Sequence, residues 1–165
     1  MAVLSDATLL HLRQEGGLAI DPFDEANLTP NGYDLTIGEV LVPEASASPA
    51  TVAAGVARVP GRERFLVSTR EVVTLGAGVT AQLWIRSTFA RRGVLAAFGK
   101  VEAGFSGTLT IGCFNASKEA LDLPIGERFC QIAFEALSEP AGVLYEDRSG
   151  NYQHQRGVTL SSRRE

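Results

Sequence analysis

The sequence VTAQLWIRSTFARRGVLAAFGKVEAGFSGTLTIGCFN occupies residues 79–115 and decides the fold. Three runs in it are mostly apolar or alternate between apolar and polar residues: Val79–Ile85, Val94–Phe98 and Gly107–Asn115. Such runs, rich in β-branched and aromatic residues, are typical of strands. The segments between them are short and contain glycine, a turn signal. The stretch therefore predicts short strands separated by turns.

The same pattern continues on both sides. Strands are predicted at Phe65–Ser68, Val72–Leu75, Leu121–Pro124 and Arg128–Glu135, an extended segment at Leu18–Pro22, and a turn leading into a strand at Asn31–Gly38. One short helix is predicted at Ala7–Glu15, because Ser5-Asp6 can cap its start and Gly16-Gly17 can end it. Strands and helices do not alternate as in a doubly wound sheet. The predicted fold class is all-β: a sandwich, jelly roll or barrel with one minor helix.

Two segments differ in composition from the strands. Residues 44–61 are rich in Ala, Ser, Pro and Gly, so we expect an exposed hairpin or loop there. From Arg148 onward the chain is polar, which indicates a mobile arm. The predicted organisation is one β domain, residues 1–147, followed by a flexible C-terminal arm, residues 148–165.

The composition excludes several classes of protein. A chain of 165 residues with 45% hydrophobic content suits one domain with a core that needs no disulfides. The net charge of −4 argues against a general nucleic-acid binder. No apolar run approaches a membrane span, and nothing resembles a signal peptide, so we expect a soluble cytoplasmic protein. Cys113 and Cys130 form no CxxC pair and are expected to be buried core thiols rather than zinc ligands.

A compact set of cations and hydroxyls follows the first of the three runs. Arg86, Ser87 and Thr88 are adjacent, and Arg91 comes three residues later. Guanidinium groups and hydroxyls bind phosphate oxygens well. After a short hydrophobic segment the chain supplies one carboxylate, Glu102. Phosphate donors near one placed acid predict water-driven cleavage of a phosphate ester.

Five segments, in order along the chain, resemble motifs of the trimeric dUTPase / dCTP deaminase family, especially its short archaeal-type members. They are Asn31–Gly38, Arg86–Gly93, Val101–Gly107, Gly126–Phe134 and Asn151–Leu160. Two positions depart from the usual pattern: the family usually has aspartate where this chain has Glu102, and deaminase-like arms often carry lysine at Asn151. The resemblance covers nearly the whole chain.

This resemblance implies a distorted jelly roll, the β-clip or dUTPase-like barrel, with one short N-terminal helix. It implies a homotrimer whose active sites are shared between subunits, with the C-terminal arm closing over a deoxynucleoside triphosphate. It also implies a Mg²⁺ ion that the triphosphate holds, with no direct metal ligand from the protein, and no nucleic-acid or membrane partner.

The resemblance assigns roles to individual residues. The catalytic residues would be Glu102 and Arg91, and the phosphate-binding residues would be Arg86, Ser87, Thr88 and Gln131. The base and sugar would be bound by Phe98, Gly99, Lys100 and Val101. The arm would close the site through Tyr152 and Gln155. The base is expected to be read mainly by backbone groups. Asp34 is expected either to position a ligand-binding side chain or a water of the metal ion, or to make a structural hydrogen bond in its turn. Trp84 is expected in the core or at a subunit interface.

One position bears on the reaction. Deaminating members of the family carry a glutamate on the strand after the third motif, and here Gly112 stands at that place. Glycine cannot transfer a proton, and a general acid–base group typically contributes about 10²–10⁴-fold. The sequence therefore favours a dUTP diphosphatase, which forms dUMP and pyrophosphate, with Glu102 orienting the water. Two alternatives stay open: a dCTP deaminase, mono- or bifunctional, that produces dUTP or dUMP, and a non-catalytic nucleotide-binding trimer.

Overall fold

The computed structural model describes residues 2–43, 52–53 and 55–162. The helices are α1 (Asp6–Gln14), α2 (Ser87–Arg91) and α3 (Tyr145–Arg148), with one 3₁₀ turn at Glu25–Asn27. The strands are β1 (Leu18–Asp21), β2 (Leu28–Thr29), β3 (Gly32–Leu41), β4 (Val52–Ala53), β5 (Val56–Val59), β6 (Arg64–Thr69), β7 (Val72–Leu75), β8 (Val79–Ile85), β9 (Val94–Ala97), β10 (Lys100–Val101), β11 (Ser106–Gly107), β12 (Thr110–Asn115), β13 (Leu121–Pro124) and β14 (Arg128–Ala136).

The strands pair antiparallel in three sheets. The largest has the order β10-β8-β14-β3-β6-β12-β9, with β2 beside β3. Two smaller sheets have the orders β1-β7-β11 and β13-β5-β4. The pairing register of β3 shifts against both of its neighbours, β6 and β14. Such irregularities bend a strand and increase its twist, which lets the large sheet curl around the core. The predicted all-β, dUTPase-like fold class is confirmed.

Large aromatic side chains fill the core. Tyr33, Phe65, Phe89, Phe129 and Phe134 are at most 1% exposed. The rings of Phe89 and Phe129 lie 4.9 Å apart, a favourable separation for an aromatic pair. Because Phe89 belongs to α2 and Phe129 to β14, this contact fixes the short helix onto the large sheet.

The N-terminal helix forms where the sequence predicts it. The Ser5 hydroxyl caps α1 by accepting a hydrogen bond from the Thr8 amide at 3.3 Å. Leu9 is the buried residue of the helix and Leu12 packs beside it, so α1 makes a small contribution to a core that the strands dominate. Within the described ranges, no helix has the length and apolar composition needed to cross a membrane.

The chain departs from the predicted elements where strands are very short or change sheets. The run predicted as one strand from Gly107 to Asn115 is broken, because β11 pairs with β7 whereas β12 pairs with β6 and β9. β10 and β11 have two residues each, too few to give a periodic signal. The helices α2 and α3 add to the single predicted helix.

The segment predicted as an exposed hairpin or loop is partly visible. β4 and β5 pair as a hairpin, while residues 44–51 and 54 lie outside the described residues. The expectation of exposure is wrong for β5, where Ala57 and Val59 are fully buried. The reason is that β5 also pairs with β13, and this small sheet covers one side of the core.

Candidate active site

The arginine and hydroxyls of the second motif lie where β8 ends and α2 begins. Arg86 is the N-cap residue of α2, and its amide donates to the Phe129 carbonyl oxygen at 3.1 Å. Ser87 and Thr88 follow in the first turn, and both side chains are exposed. Arg91 is exposed in the last turn of α2. Two hydroxyls and two guanidinium groups are thus available on one short surface segment.

Arg86 is held by a group that we call the arginine cluster: Asp34, Arg86 and Arg128. Nε of Arg86 lies 3.3 Å from Oδ2 of Asp34, and Nη1 of Arg128 lies 3.8 Å from the same oxygen. Nη1 of Arg86 also donates to the Arg128 carbonyl oxygen at 3.3 Å. The guanidinium of Arg86 is therefore held on two of its three nitrogens.

Asp34 is the buried member of the cluster. Its side chain is 7% exposed, against 30% for Arg86 and 46% for Arg128. Burial raises the pKa of the Asp34 carboxyl, because desolvation disfavours its charged form, and Arg86 and Arg128 oppose that rise. Asp34 thus lies behind the two guanidinium groups and can orient both of them.

Gln131 lies in line with Asp34 on the large sheet. In the strand register Gln131 is opposite Asp34 on one side and opposite Trp84 on the other. Side chains in register on neighbouring strands point to the same face of a sheet. The amide nitrogen of Gln131 donates to the Thr29 hydroxyl at 2.8 Å, so the side chain is already engaged on this face.

Trp84 belongs to the same row and is 58% exposed. The expectation that it lies in the core is wrong for the single chain. It lines a surface cavity of about 340 Å³ together with Phe98, Gly99 and Lys100. Trp84 and Phe98 together give this cavity an apolar surface that a ligand or partner could cover.

The carboxylate of Glu102 belongs to a different part of the molecule. It lines a cavity of about 240 Å³, which we call the acid pocket. The residues lining it are Leu83, Gly99, Lys100, Val101, Glu102, Phe105, Leu109, Thr110, Tyr145, Tyr152 and Gln155. Apolar walls with a few polar groups and one acid are typical of a small-molecule site.

Local contacts hold Glu102 at the edge of this pocket. The Ser149 hydroxyl donates to Oε2 of Glu102 at 3.4 Å. Gly104 follows in a turn with φ of +85°, and a β-carbon there would lie 2.7 Å from Cβ of Leu144. Only glycine suits both the backbone angle and this close approach. The turn after Glu102 is therefore packed tightly against the segment that leads into α3.

The C-terminal segment forms one wall of the acid pocket. The amides of His154 and Thr108 donate to the carbonyl oxygens of Ser106 at 2.6 Å and of Gln155 at 3.1 Å. The Gln155 side chain donates to the Thr108 carbonyl oxygen at 2.6 Å. Tyr152 is half-exposed over the pocket, and its amide donates to the Tyr145 hydroxyl at 3.0 Å. The part of the arm that the structure describes packs on its own chain; its movement upon nucleotide binding stays a prediction.

The structure separates the predicted site residues into two groups. The acid pocket brings the residues of the predicted hairpin together with those of the arm: Gly99, Lys100, Val101, Glu102, Tyr152 and Gln155. Within the described part of the chain, these other predicted site residues do not line it: Asp34, Arg86, Ser87, Thr88, Arg91 and Gln131. Val101 pairs with Ala81 near the start of β8, and Arg86 follows the end of that strand. Extending this register by one residue places Glu102 opposite Thr80. Arg86 comes six positions after Thr80, about 20 Å along a strand.

Four residues that contact or support these two groups are not among the predicted site residues. Arg128 joins the arginine cluster, Ser149 contacts Glu102, Tyr145 packs edge-on against Phe105, and Gln153 is 8% exposed. The Gln153 side chain accepts from the Ser106 amide at 3.0 Å and donates to the Gly104 carbonyl oxygen at 2.9 Å. Arg128 and Gln153 lie within the motif-like segments Gly126–Phe134 and Asn151–Leu160, whereas no sequence signal distinguishes Tyr145 and Ser149.

Gly112 lies on β12, opposite Leu66 on one side and Ala97 on the other. A β-carbon built at Gly112 would meet no atom within 4 Å. Its neighbours on the same face of β12 are Thr110 and Phe114, and neither is an acid. Space for a longer side chain is therefore present, while this face of the strand offers no proton-transfer group.

Comparison with known proteins identifies the family. A family model described as dCTP deaminase-like matches residues 47–137. The chain is 41% identical over 150 residues to a dCTP deaminase of Thermococcus gammatolerans, covering 91% of this chain and 93% of that one. This chain belongs to the dCTP deaminase-like family. A second relative has a different name. It is a probable deoxyuridine 5'-triphosphate nucleotidohydrolase of Sulfolobus islandicus rod-shaped virus 1, and it is 35% identical over 96% of this chain and 98% of that one.

A solved structure of a dCTP deaminase has the same fold as this chain. The 2'-deoxycytidine 5'-triphosphate deaminase of Agrobacterium tumefaciens superposes with a TM-score of 0.67 over 82% of this chain, at 18% identity. The chain spans about half the length of that protein, 48%. Members of the dCTP deaminase-like family include both deaminases and dUTPases, so membership alone does not select the reaction.

Proposed function

We propose that this protein is a Mg²⁺-dependent dUTP diphosphatase that converts dUTP and water to dUMP and pyrophosphate. One observation carries the proposal: Glu102 supplies a carboxylate at a pocket of about 240 Å³, while β12 presents Gly112 where deaminating relatives are expected to have their acid. Diphosphate cleavage needs a positioned water and a neutralised triphosphate, which the available groups can supply. Deamination needs proton transfer at the base, for which β12 offers no group.

The proposed reaction has one displacement step. The water oxygen forms a bond to the α-phosphorus, and the bond from that phosphorus to the oxygen bridging to the β-phosphate breaks. Glu102 accepts the water proton and passes it to solvent, while pyrophosphate leaves with the electron pair. Arg86, with Ser87 and Thr88, binds the triphosphate oxygens and stabilises the charge that develops on them.

The remaining residues bind the nucleoside and close the site. Backbone groups of Phe98–Val101 contact the pyrimidine and sugar, and Tyr152 and Gln155 cover the bound nucleotide. Gln131 and Arg91 are assigned to phosphate contact, although Gln131 must first release Thr29. Asp34 positions Arg86 from behind.

The donor set fits a metal that the substrate holds. Among the described residues, no group of three or more His, Cys, Asp or Glu side chains is placed to hold a metal ion. Mg²⁺ typically takes one or two carboxylates together with substrate phosphates and waters. Bound with the triphosphate, it would neutralise phosphate charge, and Glu102 is the pocket carboxylate that can approach it.

We further propose that the site is completed between copies in a homotrimer. Glu102 and Arg86 of one chain lie at opposite ends of β8, too far apart to share one triphosphate. Closed cyclic symmetry would let the arginine cluster of one copy meet the acid pocket of the next. The exposed Trp84, beside Lys100 and Phe98, supports a partner on this face.

A dCTP deaminase is the second candidate, and the names of the relatives favour it. The chain is 38–41% identical to dCTP deaminases of several Thermococcus and Pyrococcus species. In that reaction water adds at C4 of cytosine and ammonia leaves. Glu102 would have to move the protons, since it is the acid of the pocket.

Product analysis distinguishes the candidates. The protein is incubated with dUTP, dCTP and dTTP in the presence of Mg²⁺, and nucleotide products, pyrophosphate and ammonia are quantified. The proposal expects dUMP and pyrophosphate from dUTP, with a loss of about 10²-fold or more in Glu102→Gln and none in the control Glu139→Gln, an exposed surface acid. Ammonia from dCTP would favour the deaminase. Equal turnover by Glu102→Gln, or binding without any turnover, would contradict the diphosphatase.

A further inference from the structure

The arginine cluster contains more positive than negative charge. Arg86 and Arg128 share one oxygen of Asp34, at 3.3 Å and 3.8 Å. Among the described residues, Asp34 is the only carboxylate within ion-pair distance of either guanidinium. One positive charge therefore remains uncompensated between two side chains that repel each other. A group with two or more negative charges would relieve that repulsion.

The side-chain donors of Arg128 form no hydrogen bond with Asp34. A guanidinium carries five N–H donors, and the contact with Asp34 at 3.8 Å is an ion pair that is too long for a hydrogen bond. The side chain of Arg128 is 46% exposed, compared with 30% for Arg86. Arg128 is thus the more accessible of the two cations, with its planar fork open to a ligand.

The backbone fixes the two arginines side by side. The carbonyl oxygen of Arg128 accepts a hydrogen bond from Nη1 of Arg86 at 3.3 Å. The amide of Arg86 in turn donates to the carbonyl oxygen of Phe129, the next residue of β14. An anion that binds Arg86 at this junction of β8 and β14 lies next to Arg128.

We propose that Arg128 is a second phosphate-binding cation, which with Arg86 forms a two-arginine clamp for the triphosphate of the substrate. The inference rests on the proposed function for the identity of that substrate. The chemistry of the clamp suits a linear polyphosphate, because two guanidinium groups held around one oxygen of Asp34 can each bind one of two successive phosphate groups. Asp34 then serves both arginines as their common positioning residue.

Binding of inorganic tripolyphosphate to the full-length protein tests the clamp without any hydrolysis. Isothermal titration calorimetry compares the wild type with Arg128→Gln, Arg128→Lys and the control Arg58→Gln. Arg58 is a matched arginine, because it also pairs with one aspartate, Asp122 at 2.8 Å, on a different sheet. The expected result is about tenfold weaker binding in Arg128→Gln, a smaller loss in Arg128→Lys, which keeps the charge but not the fork, and no change in Arg58→Gln.

A purely structural Arg128 would give a different pattern. Thermal melts report any folding defect, and the salt dependence of binding reports the charge that contacts the ligand, so the clamp predicts a shallower salt dependence in Arg128→Gln. Unchanged tripolyphosphate affinity in a folded Arg128→Gln protein would overturn the clamp even if dUTP is hydrolysed. Wild-type binding no tighter than that of the double variant Arg86→Gln/Arg128→Gln would also overturn it. Failure of the diphosphatase proposal is seen separately, as absence of pyrophosphate release from dUTP.

Discussion

Glu102 and Arg86 lie at opposite ends of β8, about 20 Å apart along the strand. Each has its own surroundings: Glu102 faces the acid pocket and the C-terminal segment, and Arg86 is held by Asp34. A single chain therefore keeps the acid and the arginine apart. If the protein hydrolyses nucleotides by the proposed route, the acid and the phosphate ligands come from different copies.

Replacing Asp34 by asparagine is expected to lower activity without lowering stability. Because burial raises the pKa of Asp34, its ionised form is disfavoured in the folded state. Its contribution to the free energy of unfolding is present below the usual aspartate pKa of about 4 and is lost as pH rises through the raised value. Asp34→Asn should thus match the wild type at pH 4 and be equally or more stable at pH 8, with about tenfold lower kcat/KM because Arg86 is no longer held.

Urea denaturation at the two pH values and kinetics with dUTP check this prediction. A variant that loses more stability at pH 8 than at pH 4 would show that the carboxylate stabilises the fold. Unchanged kcat/KM would show that Arg86 needs no positioning by Asp34.

Gln153 is expected to be a structural anchor of the arm. Its side chain satisfies the Ser106 amide and the Gly104 carbonyl oxygen. Gln153→Ala leaves both groups without their partner, which should lower the free energy of unfolding by about 1–3 kcal/mol and loosen the wall of the acid pocket. Chemical denaturation and limited proteolysis of the arm are the measurements, with Gln14→Ala on exposed α1 as the control. Equal arm protection in the wild type and Gln153→Ala would contradict this role.

Gly112→Glu is expected to fold normally, because a side chain at this position meets open space. The cost in unfolding free energy should stay below about 1 kcal/mol. If position 112 decides the reaction, this variant should release ammonia from dCTP, whereas Gly112→Gln, of the same size but without an acid, should not. Ammonia release by the wild-type protein would show that the interpretation of Gly112 is wrong.

Both thiols are expected to be inert in the folded protein. Burial raises the pKa of Cys113 to about 12, and burial also raises that of Cys130. At pH 8 only about one Cys113 in 10⁴ is then a thiolate, the form that reacts. Iodoacetamide labelling followed by mass spectrometry should detect almost no adduct until the protein is unfolded. Labelling of the native protein at the rate of a free peptide thiol would contradict this burial.

Most strands with apolar periodicity over four residues or more could be predicted from sequence, with β5 (Val56–Val59) as an exception. β7, β8 and β13 have the predicted bounds, and β14 differs by one residue. The two-residue strands β10 and β11 escaped prediction, because their pairing depends on partners distant in sequence. Trp84 has a large apolar side chain of the kind found in protein cores. In the structure it is 58% exposed, in register with Gln131 and Asp34.

The site was predictable only in part. Motif residues such as Arg86 and Glu102 carry recognisable chemistry, and the structure brings Glu102 together with the predicted hairpin and arm residues. Ser149 has no local signal, and Arg128 lies in a motif that does not single it out, because their contacts with Glu102 and Asp34 are made across the fold. Arg86 and Glu102 are only 16 positions apart in sequence, and this spacing does not indicate that they lie at opposite ends of one strand.

Subunit complementation tests the shared site most directly. Arg86→Gln and Glu102→Gln are expected to be inactive alone, and the two proteins are mixed in equal amounts under conditions that exchange subunits. If each site takes Arg86 from one copy and Glu102 from another, random mixing leaves about a quarter of the sites with both groups intact, and dUTP hydrolysis should recover to about that fraction of the wild-type rate. If both groups must come from the same chain, no site is intact, and an inactive mixture whose subunits have exchanged would contradict the account.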